Sequence, residues 1–125
     1  MSGQIPLLVL GDTVLITIQV DLHDRLAVQL RDDLSALLAR RGCSGVLIDI
    51  SALDLVDSFI ARQLATMAAT ARLMGARTVI VGMQPAVAIT LVELGVNWPG
   101  LLTALNVERG LAQLSEDHGV EQPRA

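Results

Sequence analysis

Two β-rich runs open the chain. Ile5–Leu10 and Thr13–Gln19 are dominated by Leu, Val, Ile and Thr, and only Gly11-Asp12 separates them. A two-residue Gly-Asp link reads as a tight hairpin, so the first two strands are expected to be antiparallel. Leu26, Leu30, Leu34, Leu37 and Leu38 then recur at the spacing of one helix face. Asp24 is the expected cap of that helix and Gly42 its stop. Arg31, Asp32 and Asp33 fall mostly off the apolar face and are expected in solvent.

Gly45–Ile50 (GVLIDI) is almost wholly apolar, which suits a strand buried on both sides. An Asp-rich loop, Ser51–Asp57, leads into a second helix expected over Phe59–Met74. Ile60, Leu64, Met67, Ala71 and Met74 make its stripe, and Gly75 ends it. Thr78–Val81 reads as the next buried strand. Pro85–Leu94 reads as a third helix, with Pro85 at a favourable first-turn position and Gly95 as its stop. Trp98-Pro99-Gly100 marks a loop, and Leu101–Leu105 a last short strand. Asn106 is placed to cap a final helix through Leu114, with Val107, Leu111 and Leu114 inward. The expected fold class is therefore α/β, with a mixed sheet of one antiparallel hairpin followed by parallel β-α-β units and about four helices. The domain is expected over 1–115, and the polar segment 116–125 as a flexible tail.

Composition sharpens this picture. At 125 residues, without internal repeats, the chain fits one domain. Hydrophobic residues make up 52% but aromatics only 2%, namely Phe59 and Trp98, so the core must be aliphatic. All nine basic residues are Arg, the net charge is −4, and Arg40–Arg41 is the only adjacent basic pair. No basic stripe is present and stacking rings are scarce, which argues against nucleic-acid binding. The absence of Lys excludes a phosphate-loop lysine and a Schiff base. Cys43, the single cysteine, reads as a small packing residue. No apolar run reaches the roughly 18 residues a membrane helix needs. No signal peptide is visible, so the cytoplasm is the expected compartment.

Catalytic constellations are sparse. His23 and His118 are the only histidines, and neither accompanies a G-x-S-x-G elbow. Both read as surface residues, and no enzyme activity is expected. Gly75, Gly82 and Gly95 read as stops and turns rather than a nucleotide fingerprint, so no cofactor is expected. Asp49, Asp54 and Asp57 follow a parallel strand, where functional groups gather. They read either as a divalent-cation cluster or, separately, as turn and strand-end residues.

The most informative stretch is Ile50–Arg62, ISALDLVDSFIAR. Its Ser58 stands at the mouth of the second helix and reads first as an N-cap. Capping is compatible with phosphoacceptance. A phosphate there would meet helix N–H groups and add about −1.5 to −2 charges beside Asp57 and near Asp54. The third helix is apolar nearly all round. Val87, Ile89 and Val92 therefore read either as core or as part of an exposed patch for self-association.

Residues 45–95, GVLIDISALDLVDSFIARQLATMAATARLMGARTVIVGMQPAVAITLVELG, resemble the STAS-domain anti-sigma-factor antagonists. They are most similar to the scaffold (RsbS-like) branch found in bacterial stressosomes. The opening IPLLVLGDTVLITIQVDLHD is similar as well, so the likeness spans Ile5 to Leu114. D-S-F-I-A, L-M-G-A and G-x-Q-P-A-V-A are its specific segments. The resemblance implies a single STAS domain, a phosphoacceptor at Ser58, and a partner-binding surface around Asp54, Asp57, Phe59 and Arg62. It also implies an RsbT-like serine kinase as partner, a phosphatase that reverses the modification, and co-assembly with RsbR-like STAS sensor proteins. Sensor-type relatives carry a further phosphorylatable Thr, for which Thr90 is the candidate. No sensor segment precedes the STAS-like region, so the scaffold type is expected. On this reading the protein holds the kinase until Ser58 is phosphorylated. The competing readings are a direct anti-sigma-factor antagonist acting one-to-one and a metal-assisted phosphohydrolase using Asp49, Asp54 and Asp57.

Overall fold

A computed structural model describes residues 5–19, 22–95 and 102–121, and the side chains as far as 115. The hairpin forms as the spacing requires: β1 (Leu7–Leu10) pairs antiparallel with β2 (Thr13–Thr17), Leu10 opposite Thr13. Both strands are shorter than the apolar runs that predict them. Helix α1 (Asp24–Arg41) crosses to β3 (Gly45–Asp49), α2 (Ser58–Leu73) to β4 (Arg77–Val81), and α3 (Pro85–Glu93) to β5 (Leu102–Ala104). Helix α4 (Val107–Glu121) follows. The strands lie in chain order, β1-β2-β3-β4-β5, and every pairing after the hairpin is parallel. The two most apolar runs, β3 and β4, are interior strands, as expected of segments buried on both faces.

Period-two alternation divides the core in two. Val14, Ile16 and Ile18 of the β2 run, Val46 and Ile48 of β3, and Ile80 of β4 pack beneath α1, α2 and α3. Their neighbours Leu47, Val79 and Val81 face the other way, against Leu114 of α4. The leucine stripe of α1 is buried as its spacing predicts. Burying each such aliphatic side chain contributes about 1.5–3 kcal/mol, so an aliphatic core of this size needs no large rings. Cys43 is buried among these residues.

Several boundaries differ from expectation. The cap of α1 is His23, whose Nδ1 accepts from the Leu26 N–H at 3.3 Å; Asp24 is the first helical residue. Arg31 is half-buried rather than solvated, because its Nη1 donates to Gln63 Oε1 of α2 at 3.0 Å. That bond ties the two helices together, whereas the Arg31–Asp32 pair is exposed and worth at most about 1 kcal/mol. Asn106 caps α4 as expected, its Oδ1 accepting from the Arg109 N–H at 2.9 Å. The helix then runs on to Glu121, past the expected end at Leu114. The expected loop at Trp98-Pro99-Gly100 and residues 122–125 lie outside the described residues.

Helix α4 reaches the sheet through a glycine. A Cβ on Gly110 would stand 2.7 Å from Val81 Cγ1 and 2.8 Å from Leu47 Cδ1. Both contacts are closer than carbon atoms tolerate, and the Val81 methyl is fixed to an interior strand. Two effects compete in Gly110→Ala. Alanine gains about 1 kcal/mol of helix propensity, and overpacking costs about 1–3 kcal/mol. Overpacking is expected to win, lowering the urea midpoint without changing the slope. A midpoint at or above wild type would show that α4 lifts away freely.

Candidate functional site

The loop between β3 and α2 is held at four points. Asp49, the last residue of β3, accepts the Ser51 N–H on Oδ1 at 2.9 Å. Ile50 donates to the Val81 carbonyl at 3.0 Å and accepts from the Leu53 N–H at 2.9 Å. Gln84, at the mouth of α3, donates from Nε2 to the Ser51 carbonyl at 2.8 Å. Leu53 and Val56 are buried and pin the loop to the core. The remaining residues, Ser51, Ala52, Asp54, Leu55 and Asp57, face solvent.

The loop ends in a cap that differs from the expected one. Asp57, not Ser58, is the N-cap of α2: its backbone is extended and its Oδ1 accepts from the Ile60 N–H at 2.9 Å. The chain turns helical at Ser58, so the half-in position falls one residue earlier. Aspartate caps as well as serine does. Ser58 is therefore the first residue of the helix, exposed, with its hydroxyl released from capping. A phosphate on Ser58 would still face the positive helix end. The Ile60 N–H, however, is already taken by Asp57.

The other residues of the expected surface divide. Asp54 and Asp57 are exposed, as is Arg62 one turn into the helix. Phe59 is half-buried and packs against the main core, so only part of its ring is offered outward. A cleft of about 350 Å³ opens beside the loop, lined by Leu22, Leu53, Asp54, Leu55, Asp57 and Ile60. Thr90 lies apart on α3, half-buried, with its hydroxyl donating to the Ala86 carbonyl at 2.9 Å. Of the three residues weighed as an apolar patch, Ile89 and Val92 are exposed and Val87 is core.

The carboxylates do not build a cation site. Among the described residues no group of three or more His, Cys, Asp or Glu side chains stands close enough to hold a metal ion. Asp49 and Asp57 each commit an oxygen to a backbone N–H instead. Asp49 serves as the expected strand-end polar group, whereas Asp57, expected in a turn, caps α2. No described helix is long and apolar enough to cross a membrane.

Three residues of the site escape sequence reasoning. Gln84 and Gly82 reach Ser51 across more than thirty positions, and nothing local marks that approach. Leu55 looks like one more residue of an Asp-rich loop. Its direction is undecided in the sequence, and burial of Leu53 and Val56 on either side turns it outward.

Comparison with known proteins agrees with this geometry. Residues 4–108 match the STAS domain family. Moorella thermoacetica RsbS, solved as its S58E variant, superposes with a TM-score of 0.80 at 38% identity, covering 90% of this chain and 95% of that one. A chain from a structure titled as the molecular architecture of the stressosome, a signal integration and transduction hub, gives 0.78 at 40% identity, over 89% and 96% of the two chains. The RsbT co-antagonist protein RsbRA of Bacillus subtilis is 32% identical over 66 residues, 53% of this chain. The match spans only 24% of that relative's length.

Proposed function

The chain belongs to the STAS-domain family, and from that premise we propose that it is a phosphorylation-switched scaffold of the stressosome type. Unmodified, it binds an RsbT-like serine kinase at the surface formed by Asp54, Asp57, Phe59 and Arg62. Phosphorylation of Ser58 by that kinase weakens the contact and releases the enzyme, and a phosphatase restores the starting state. RsbR-like STAS proteins are its assembly partners, together with further copies of itself. Thr90 is a second, lesser phosphoacceptor, because its hydroxyl already serves the Ala86 carbonyl.

The observation that carries this reading is the exposed Ser58 at the first position of α2, freed from capping by Asp57. A kinase needs a hydroxyl that it can reach without unfolding the chain. The likeness to RsbS over nine-tenths of the chain supports the scaffold role. The partial matches to co-antagonist proteins support RsbR-like partners. The cost of burying charge gives the direction of the switch. The phosphate adds about −1.5 to −2 charges to a corner that already holds two exposed carboxylates. A tenfold loss of affinity requires only about 1.4 kcal/mol.

Sedimentation tests the proposal. Mixed with an RsbR-like STAS domain and an RsbT-like kinase, the protein is expected to sediment as an assembly much larger than one-to-one. Addition of ATP should release the kinase while the scaffold remains assembled. A one-to-one complex would point to the direct antagonist instead. A kinase that stays bound after complete phosphorylation would remove the switch.

A further inference from the structure

We propose that Leu55 is the apolar anchor by which this surface holds the kinase, inserted into a recess of the partner that is rimmed by basic side chains. This rests on the kinase-binding reading above. Leu55 is 79% exposed, although both Leu53 and Val56 beside it are buried. A single bare leucine is common on protein surfaces. This one differs in how it is held. Its loop is fixed by the Asp49, Ile50 and Gln84 hydrogen bonds at one end and by the Asp57 cap at the other. The side chain is presented from a backbone that has little freedom left to lose, so docking it costs little ordering entropy.

The surroundings specify the partner. Leu55 and the phosphoacceptor Ser58 are three residues apart, so a protein that buries Leu55 is brought to the serine hydroxyl. The adjoining cleft, lined by Leu22, Leu53, Leu55 and Ile60 together with Asp54 and Asp57, offers a recess of mixed polarity for a reciprocal side chain. Asp54 and Asp57 border both features. A second copy of this chain carries a net charge of −4 and would bring like charge toward that acidic rim. A partner with Lys or Arg around an apolar pocket is complementary instead, and ion pairs at such a rim speed encounter and fix orientation. Phosphate on Ser58 then acts on the same contact through its hydration: the partner can close over the leucine only by stripping water from a phosphate held beside two carboxylates, a cost that outweighs its attraction to the rim.

The test is binding of an RsbT-like kinase, without ATP, to wild type, Leu55→Asp, Leu55→Ser, Leu55→Met and Leu73→Asp. Leu73 is 90% exposed and lies at the other end of α2, roughly 22 Å from Ser58 at 1.5 Å per residue. Circular dichroism shows whether each variant is folded. Leu55→Asp and Leu55→Ser are expected to weaken binding by more than about tenfold, the mark of a buried anchor. Leu55→Met should stay within about threefold of wild type, because methionine fills similar volume. Leu73→Asp should bind as wild type. Unchanged affinity for Leu55→Asp and Leu55→Ser, with wild type binding normally, overturns the anchor and leaves the scaffold reading standing. So does a loss confined to co-assembly with RsbR-like domains, which would make Leu55 an assembly contact. If wild type itself does not bind the kinase, the scaffold reading falls and the anchor with it.

Discussion

Ser58→Ala is expected to abolish phosphate incorporation in the 50–62 segment while leaving the protein folded and bound to its kinase. The fold should hardly notice the change. Had Ser58 been the cap, its loss would cost about 0.5–2 kcal/mol. The cap is Asp57, and Ser58 occupies an exposed first-turn position where alanine is at least as good a helix former. Stability should therefore stay within about 0.5 kcal/mol of wild type. Function should change entirely, because the proposed switch modifies that hydroxyl. The variant would hold the kinase in the presence of ATP, giving an assembly that cannot release it. Ser58→Asp should release only partly, since one carboxylate carries less charge and fewer acceptor oxygens than a phosphate, at about −1.5 to −2. Incubation with the cognate kinase and ATP, followed by mass spectrometry of the 50–62 segment, reads the result. Equal labelling of wild type and Ser58→Ala would exclude Ser58 from the mechanism.

The architecture is legible in the chain because the two central strands, β3 and β4, announce their burial. Gly45–Ile50 and Thr78–Val81 are continuous apolar runs, and only strands covered on both faces tolerate such runs. The helices carry leucines and methionines at helical spacing, and alternation of the two element types leaves few parallel topologies to choose from. The caps are a different matter. At α1 the expected Asp24 gives way to His23, and at α2 the expected Ser58 gives way to Asp57. In both places two adjacent residues have acceptor side chains, and the turn of the backbone decides between them. That turn is set by where the preceding segment is anchored, here Leu53 and Val56 in the core. The third helix shows the same limit. Its uniform apolarity left core and surface undecided, and packing divides it, Val87 and Leu91 inward and Ile89 and Val92 outward. The exposed serine at the start of α2 is readable from D-S at a strand-to-helix junction. The contacts that hold its loop in place are not, because they depend on residues more than thirty positions away.

Gly82 is one of those distant residues, and Gly82→Ala is expected to be the most damaging small substitution near the site. Its φ is +76°, in the left-handed region. A side chain there costs about 1–2 kcal/mol in local strain. There is no space for it either. A Cβ would stand 2.8 Å from Ser51 Cβ, 2.9 Å from Asp49 Oδ1 and 3.2 Å from Ser51 Cα. The carboxylate end can swing aside, but the Ser51 backbone can move only with its loop. Such overpacking adds about 1–3 kcal/mol. The sum, about 2–5 kcal/mol, is a large share of the 5–15 kcal/mol typical of a domain. At roughly 3–5 °C per kcal/mol for a chain of this size, the melting temperature should fall by about 6–25 °C. The strain also has a functional direction. Relief by movement of Ser51 weakens the Gln84 and Asp49 hydrogen bonds that pin the loop. Kinase binding should then decline at temperatures where the variant is still fully folded. Thermal unfolding followed by circular dichroism, together with kinase affinity measured well below the transition, separates the two effects. A melting temperature within about 2 °C of wild type, less than 1 kcal/mol on the same scale, would mean that the two loops part without cost. Normal affinity in a destabilised variant would mean that the Ser51 end of the loop does not position Ser58.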